Sequence, residues 1–281
     1  MDTDYVKPTA VITAMINAGV TKAALPIRDL LIRGMLSGAI LGVSTTLAIG
    51  ATVQTGQSIV GAAVFPVGFV MIVLLGLELV TGSFAVVPLA WLEGKTSGAN
   101  VLLNWNWVFL GNLLGSLLYA GLFVIAISMM GTAAQPDPLA TKLIAVATAK
   151  THGYEAAGLA GIVTAFVKAM LCNWMVCLGV VMAMTSTATV GKIVAAWLPI
   201  VVFFAQGFEH AVVNMFVIPA GMLLGAHVSV ADWWLWNQIP VTLGNLAGGF
   251  TFTGLALYLT HREHAPAIAA PLAGLSRTAA E

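Results

Sequence analysis

Charge is the scarcest property of this chain. Only 8% of its 281 residues are Asp, Glu, Lys or Arg, 59% are hydrophobic, and the formal net charge is zero. A soluble domain carries roughly a quarter charged residues. This chain therefore cannot cover itself with a water-compatible surface, and lipid is the solvent that remains. Zero net charge gives it no bulk attraction for nucleic acid or for acidic membrane surfaces. Cysteine is nearly absent: Cys172 and Cys177 lie five residues apart inside an apolar run. That spacing suits neither a zinc site nor a disulfide framework, and two small buried apolar side chains are the expectation. The start, Met1-Asp2-Thr3-Asp4, lacks the basic region of a secretory signal, so the first hydrophobic run is expected to be retained.

A helix needs about 20 apolar residues to cross a bilayer. Six hydrophobic stretches meet or exceed this, at roughly Leu30–Val53, Ile59–Leu92, Val101–Met130, Leu159–Thr185, Lys192–Gly225 and Gln238–Thr260. Polar breaks separate them, among them 131–155. The segment 1–28 is expected to be cytoplasmic, with an amphipathic helix on the membrane face. Residues 29–260 form the spanning domain, and 261–281 a loose, Ala/Pro-rich cytoplasmic tail. With the N-terminus inside, the inner side collects Lys7, Lys22, Arg28, Arg33, Lys95, Lys192, Arg262 and Arg277, and the outer side only Lys142 and Lys150. The positive-inside bias places both termini in the cytoplasm, the chain crossing the inner membrane.

The second and fifth stretches are too long for one ordinary span, and each is interrupted. The interruptions are Glu78-Leu-Val-Thr81-Gly82-Ser83 with Pro88, and Gln206-Gly207-Phe208-Glu209-His210 with Asn214 and Pro219. Bare backbone cannot face lipid, so such a break lines a cavity or is buried in protein. The two stretches also resemble each other. Gly76-Leu-Glu78 matches Gly207-Phe-Glu209 at an offset of 131 residues, and Pro88/Pro219 and Gly94/Gly225 keep the same offset. Gly111-Asn112-Leu113 matches Gly244-Asn245-Leu246, and Arg33-Gly-Met-Leu matches Lys168-Ala-Met-Leu. The chain reads as two halves of three spans, about 29–131 and 157–260. Three is odd, so the second half inserts inverted. Inverted repeats with paired broken helices mark transporters and channels that bind near mid-membrane.

The run Leu171-Cys-Asn173-Trp-Met-Val-Cys177-Leu-Gly179, followed by Gly207-Phe-Glu209-His210-Ala-Val-Val-Asn214-Met215-Phe, resembles the signature segments of the formate/nitrite transporter family. Glu78-Leu-Val-Thr81 and Gly111-Asn112-Leu113-Leu-Gly115 fit the same family. The resemblance runs from about Lys22 to Tyr258. It implies an all-α polytopic membrane protein with an aquaporin-like fold of six helices and broken second and fifth helices. It also implies a homopentamer with one pore per protomer, and a substrate such as formate, nitrite or hydrosulfide. Two departures stand out: extra residues between Lys150 and Asn173, and Val80 where many members carry Phe.

His210 leads the candidate residues, since an ionisable group at membrane depth marks a functional site. With an ordinary pKa of about 6.5 it exchanges a proton near neutrality. Sharing that proton would lower the cost of stripping water from an anion in a low-dielectric passage. Asn214, four residues on, falls on the same helical face and either orients the imidazole or meets the substrate, with a satisfied interhelical amide as the rival reading. Thr81 offers a hydroxyl to an anion facing His210, or bonds backbone at a kink. Glu78 and Glu209 are repeat mates. A carboxylate in an anion pore repels its substrate, so both read as structural, accepting backbone N–H groups freed by their breaks; an acid pair transferring protons is the alternative. By resemblance, Phe65, Phe69 and Phe203 form a cytoplasmic hydrophobic slit and Leu79 and Val80 an outer one, gating by dewetting. Lys22 and Lys150 either draw anions to the vestibules or anchor the helices at the membrane edge. Asn173 is carried over as a polar contact near the pore. The half-helix N-termini add partial positive charge without a fixed cation.

Other function classes have less support. A neutral-solute channel of the aquaporin type relies on Asn-Pro-Ala repeats, and the chain has none. No nucleophile–base pair, metal cluster or nucleotide loop supports an enzyme, and no cofactor is implied. A scaffold has no use for a mid-membrane histidine between two broken helices.

Overall fold

The computed structural model describes residues 4–133, 135 and 137–262. The expected loose tail, with Arg277, lies outside the described residues from position 263 onward. Among the described residues every regular element is helical, apart from one isolated bridge between Tyr5 and Ser186. The order is α1 (Pro8–Ala23), α2 (Ile27–Thr55), α3 (Ser58–Val64), α4 (Pro66–Leu74), α5 (Val80–Leu92), α6 (Gly98–Ser128) and α7 (Pro138–Lys150). There follow α8 (His152–Glu155), α9 (Leu159–Ala183), α10 (Thr189–Ala205) and α11 (Ala211–Leu223). A last rod joins α12 (Val230–Trp233), α13 (Ile239–Gly248) and α14 (Ala256–His261) through two π-helical segments, Trp234–Gln238 and Gly249–Leu255.

Helices α2, α6 and α9 are each long and apolar enough to cross a membrane. Their outward faces carry exposed Leu36, Val43 and Leu47 on α2, and Leu110, Leu114, Leu118 and Leu122 on α6. Such faces suit lipid or another apolar surface, not water. The chain is an all-α polytopic membrane protein. Local chemistry marks its element ends. Gly56, with φ 70°, closes α2 in the left-handed conformation; Ser97 caps α6 by accepting from Asn100; Ser229 and Asp232 form a capping box on α12.

The core rests on two helix pairs, α2 with α6 and α9 with α13. Small residues let each pair approach closely. A Cβ on Gly115 would overlap the Met35 carbonyl, and one on Gly248 would overlap the Met170 carbonyl. Met35 and Met170 belong to the matching segments Arg33–Leu36 and Lys168–Leu171, so the sequence repeat recurs as a repeat of contacts.

Two sequence expectations change. The region 131–155 is not merely a polar break, because α7 forms there and packs on α11 as α1 packs on α5. Both helices have proline in the first turn and a lysine, Lys22 or Lys150, in the last. Nor does α1 lie with its apolar face on the membrane surface. Val11, Ile12, Met15 and Ile16 are buried in a cluster with Val86, Val87 and Leu89 of α5.

Candidate functional site

Both long stretches break as the sequence suggests, and by the same local device. After α4 the chain reverses at Gly76, φ 61°, with Leu77 N–H donating to Ile72 O at 3.0 Å; after α10 it reverses at Gly207, φ 64°, with Phe208 N–H donating to Phe203 O at 3.3 Å. These are glycine-closed helix ends, where a side chain would be strained by the positive φ. An extended residue then starts the next helix: Leu79 at φ −119°, ψ 119°, and His210 at φ −116°, ψ 119°. His210 thus occupies in the second half the place that Leu79 holds in the first.

One asparagine clamps each break. Asn112 Oδ1 accepts from Val80 N–H at 3.0 Å, while its Nδ2 donates to Glu78 O and Gly34 O, both at 2.9 Å. Asn245 does the same for the other half, accepting from Ala211 N–H at 2.8 Å and donating to Glu209 O at 2.9 Å and Ala169 O at 2.8 Å. Backbone groups freed by the breaks are satisfied in this way, as a dry interior demands. Sequence reasoning passed over both residues as site members, although the repeated Gly-Asn-Leu motif marks them.

Where the two breaks meet, His210 Nε2 lies 3.1 Å from Thr81 Oγ1. The other ring nitrogen, Nδ1, accepts from Val213 N–H at 3.2 Å and so caps α11. That bond assigns the proton of the neutral ring to Nε2, facing Thr81. Asn173 Nδ2 donates to Thr81 O at 3.0 Å and to Asn245 O at 2.6 Å, and Cys177 Sγ lies 3.2 Å from Thr81 O. Asn173 therefore positions the Thr81 break from behind. The Phe203 ring stacks on the imidazole with centroids 5.8 Å apart.

Two cavities flank this contact. One, of about 470 Å³, is lined by Lys22, Arg33, Phe69, Leu79, Gly82 and Lys192; the other, of about 200 Å³, by Thr45, Thr52, Lys142, Lys150, Phe203 and His210. Arg33 and Lys192 stand near the starts of α2 and α10, whereas Thr52 and Phe203 stand near their ends. The cavities thus occupy opposite ends of the same two helices, with Thr81 and His210 between them. The apolar residues divide differently from the expected slits. Phe69 and Leu79 line the same cavity, and Phe203 the other, where Phe65 packs edge-on against it at 5.6 Å. Phe65 keeps helical angles (φ −53°, ψ −39°), so it shares a face with Phe69 and stands about one turn, about 6 Å, further along the axis, which puts the two rings at different depths. Val80 is buried, its N–H held by Asn112, and lines neither cavity.

The carboxylates also differ from expectation. Neither takes a freed backbone N–H: Val80 N–H goes to Asn112, Ala211 N–H to Asn245 and Val213 N–H to His210 Nδ1. Glu78 Oε1 instead accepts from Lys22 Nζ at 2.8 Å. Glu209 Oε2 accepts from Lys150 Nζ at 2.6 Å and Asn214 Nδ2 at 2.8 Å, and Glu209 Oε1 from Tyr154 Oη at 2.8 Å. Each lysine stands at a cavity wall with its charge balanced by a buried acid. Asn214 is the plainest correction: its amide goes to Glu209 and to Asn237 Oδ1 at 2.8 Å, not to the imidazole. The i, i+4 rule fails here because His210 is an extended cap and helical geometry begins only at Ala211. Tyr154 and Asn237 were missed. Tyr154 belongs to the longer connection of the second half, in which eighteen positions separate Lys150 from Lys168 against eleven between Lys22 and Arg33. Asn237 and Asn104 share the 133-residue offset of the two clamping asparagines, and each donates to a lysine carbonyl, Lys150 O or Lys22 O, at 3.0 Å.

Comparison with known proteins agrees with this geometry. A family model described as "Formate/nitrite transporter" matches residues 9–259. The chain is 36% identical to the uncharacterized transporter YrhG of Bacillus subtilis, over 92% of this chain and 94% of that one. It is 34% identical to the formate channel BtFdhC of Bacillus thuringiensis, over 92% and 96% respectively. Among solved structures, one titled "FNT family ion channel" superposes with a TM-score of 0.77 at 28% identity, covering 89% of this chain and 98% of that one. With a family match across nearly the whole sequence and two clamped helix breaks meeting at a buried histidine, this chain belongs to the formate/nitrite transporter family.

Proposed function

We propose that the protein conducts a small monovalent anion, formate first, from the Lys22 cavity past Thr81 and His210 to the Lys150 cavity. The observation that carries this reading is the Thr81–His210 contact at 3.1 Å between two cavities at opposite ends of α2 and α10. Similarity to a formate channel supports formate as substrate. An anion that displaces this contact meets two donors, the Nε2–H of the ring and the Thr81 hydroxyl. Neither is a permanent cation, so binding stays weak enough for release. The phenylalanines on either side exclude hydrated ions, while the lysine–carboxylate pairs keep the cavity mouths polar without trapping the substrate.

Proton coupling enters through the same ring. A second proton on His210 must go to Nδ1, which in this arrangement accepts the Val213 N–H. Protonation therefore requires the cap of α11 to open, which ties proton load to movement of the break. The protomers form a homopentamer in the inner membrane, inverted repeats related across the Thr81–His210 contact, with both termini cytoplasmic. The lysine and arginine bias and the outward apolar faces of α2 and α6 support that arrangement.

The test is flux into proteoliposomes across pH, comparing formate, nitrite, hydrosulfide, lactate and glycerol. Formate is expected to pass and glycerol to be excluded. His210→Asn keeps a donor but cannot titrate, and is expected to flatten the pH dependence of formate uptake. An unchanged pH profile in that variant removes proton sharing from the mechanism; glycerol flux equal to formate flux removes anion selectivity.

A further inference from the structure

The two halves treat their buried glutamates unequally. In the second half both oxygens of Glu209 are paired, and the Asn237 amide carbonyl accepts from Asn214; in that cluster only Asn214 Oδ1 lacks a partner. In the first half the equivalent positions are Glu78, Ser83 and Asn104. Lys22 reaches Glu78 Oε1, and Asn104 Nδ2 reaches the Lys22 carbonyl, as their counterparts do. Yet Glu78 Oε2, Ser83 Oγ and Asn104 Oδ1 are all buried with no partner. Serine stands where the other half has asparagine, and it is too short to bridge the carboxylate to the amide.

The repeat assigns these three atoms to the places where Glu209 Oε2, the Asn214 side chain and Asn237 Oδ1 are joined in the other half, and buried polar atoms left dry are costly. We propose that Glu78 Oε2, Ser83 Oγ and Asn104 Oδ1 hold a single buried water that does the work of the Asn214 side-chain amide. The donor count closes. The water donates one hydrogen to the carboxylate and one to the amide carbonyl, and accepts the serine hydroxyl hydrogen, giving the three bonds typical of a buried water. An anion is excluded because two of the three groups only accept, one of them a carboxylate. A cation is excluded because the Lys22 ammonium already holds the same carboxylate at 2.8 Å. The side-chain volumes agree with this: asparagine exceeds serine by about the 30 Å³ that a water occupies.

The experiment is a high-resolution structure of the full-length protein, wild type and Ser83→Asn, with thermal unfolding of both. Wild type is expected to show solvent density about 2.7–3.2 Å from all three atoms. In S83N that density is replaced by the new amide, and the melting temperature rises by about 2–4 °C, as expected when a trapped water is exchanged for a covalent donor. If S83N does not fold, Ser83→Ala serves, with the wild-type density weakened by loss of one partner. Three atoms paired with one another and no density between them would overturn the proposal. So would an infrared band of a protonated carboxyl that vanishes in Glu78→Gln, since Glu78 would then satisfy its own oxygen.

Discussion

Asn112 and Asn245 show how much one side chain can decide in a dry interior. Each satisfies one N–H and one carbonyl that a helix break leaves without an intrahelical partner, and donates also to a carbonyl inside the neighbouring helix, Gly34 O of α2 or Ala169 O of α9. Leucine is close in size but offers nothing to those groups. Asn112→Leu or Asn245→Leu is expected to cost about 2–6 kcal/mol, from about 1–3 kcal/mol for each of the two orphaned break groups. Unfolding of the purified variants in denaturant measures this, and a loss below about 1 kcal/mol would mean that water reaches the breaks. At this scale the sequence was partly legible. His210 and Thr81 stood out because polar residues are conspicuous in apolar runs. Asn214 was misplaced because its direction depends on where the helix begins, which periodicity leaves open by a residue or two.

The elements follow small-residue packing and glycine-closed ends. Gly115 and Gly248 each sit where a methyl group would collide with a backbone carbonyl of the facing helix. Gly115→Ala and Gly248→Ala are each expected to destabilise by about 1–3 kcal/mol through overpacking. Gly121, on α6 with open space where its Cβ would be, is the control. Its replacement by Ala is expected to stabilise by about 0.5–1 kcal/mol, since glycine is a poor helix residue. Thermal unfolding of the three variants checks the order; equal effects at Gly115 and Gly121 would disprove the close-approach account. The breaks were legible as elements because stretches of this length cannot be single spans. Helix α7 was hidden in a segment read as a polar break, although Asp137-Pro138 is a helix-start pair.

Across the whole molecule, a short N-terminal strap ties residues 4–6 to the connection between α9 and α10 in the second half. Asp4 Oδ1 accepts from Thr187 N–H at 2.7 Å and Ala188 N–H at 2.6 Å, and Asp4 Oδ2 from the Ser186 hydroxyl at 2.7 Å. These bonds, the Ser186 hydroxyl first, hold the Asp4 carboxyl down at about 2. Because the docked value lies below the ordinary value of about 3.9, the ionised form favours docking. That contribution is fully present above about pH 4 and is lost as pH falls through about 2. Amide exchange at Val6, Thr187 and Ala188 is therefore expected to stay slow at neutral pH in wild type and to quicken in Asp4→Ala. Identical protection in the two would show that the strap docks without this carboxylate.

Solvent class, broken spans, the internal repeat and the histidine between the breaks were all readable from residue types and spacing. They follow from local rules, the length a bilayer demands and the conformations glycine and proline allow. The pairing of Lys22 with Glu78 and of Lys150 with Glu209, the division of the phenylalanines between two cavities, and the contact of His210 with Thr81 were decided only in three dimensions. Each joins residues 56 to 138 positions apart, and their meeting depends on how α2 packs on α6 and α9 on α13, which no local pattern encodes.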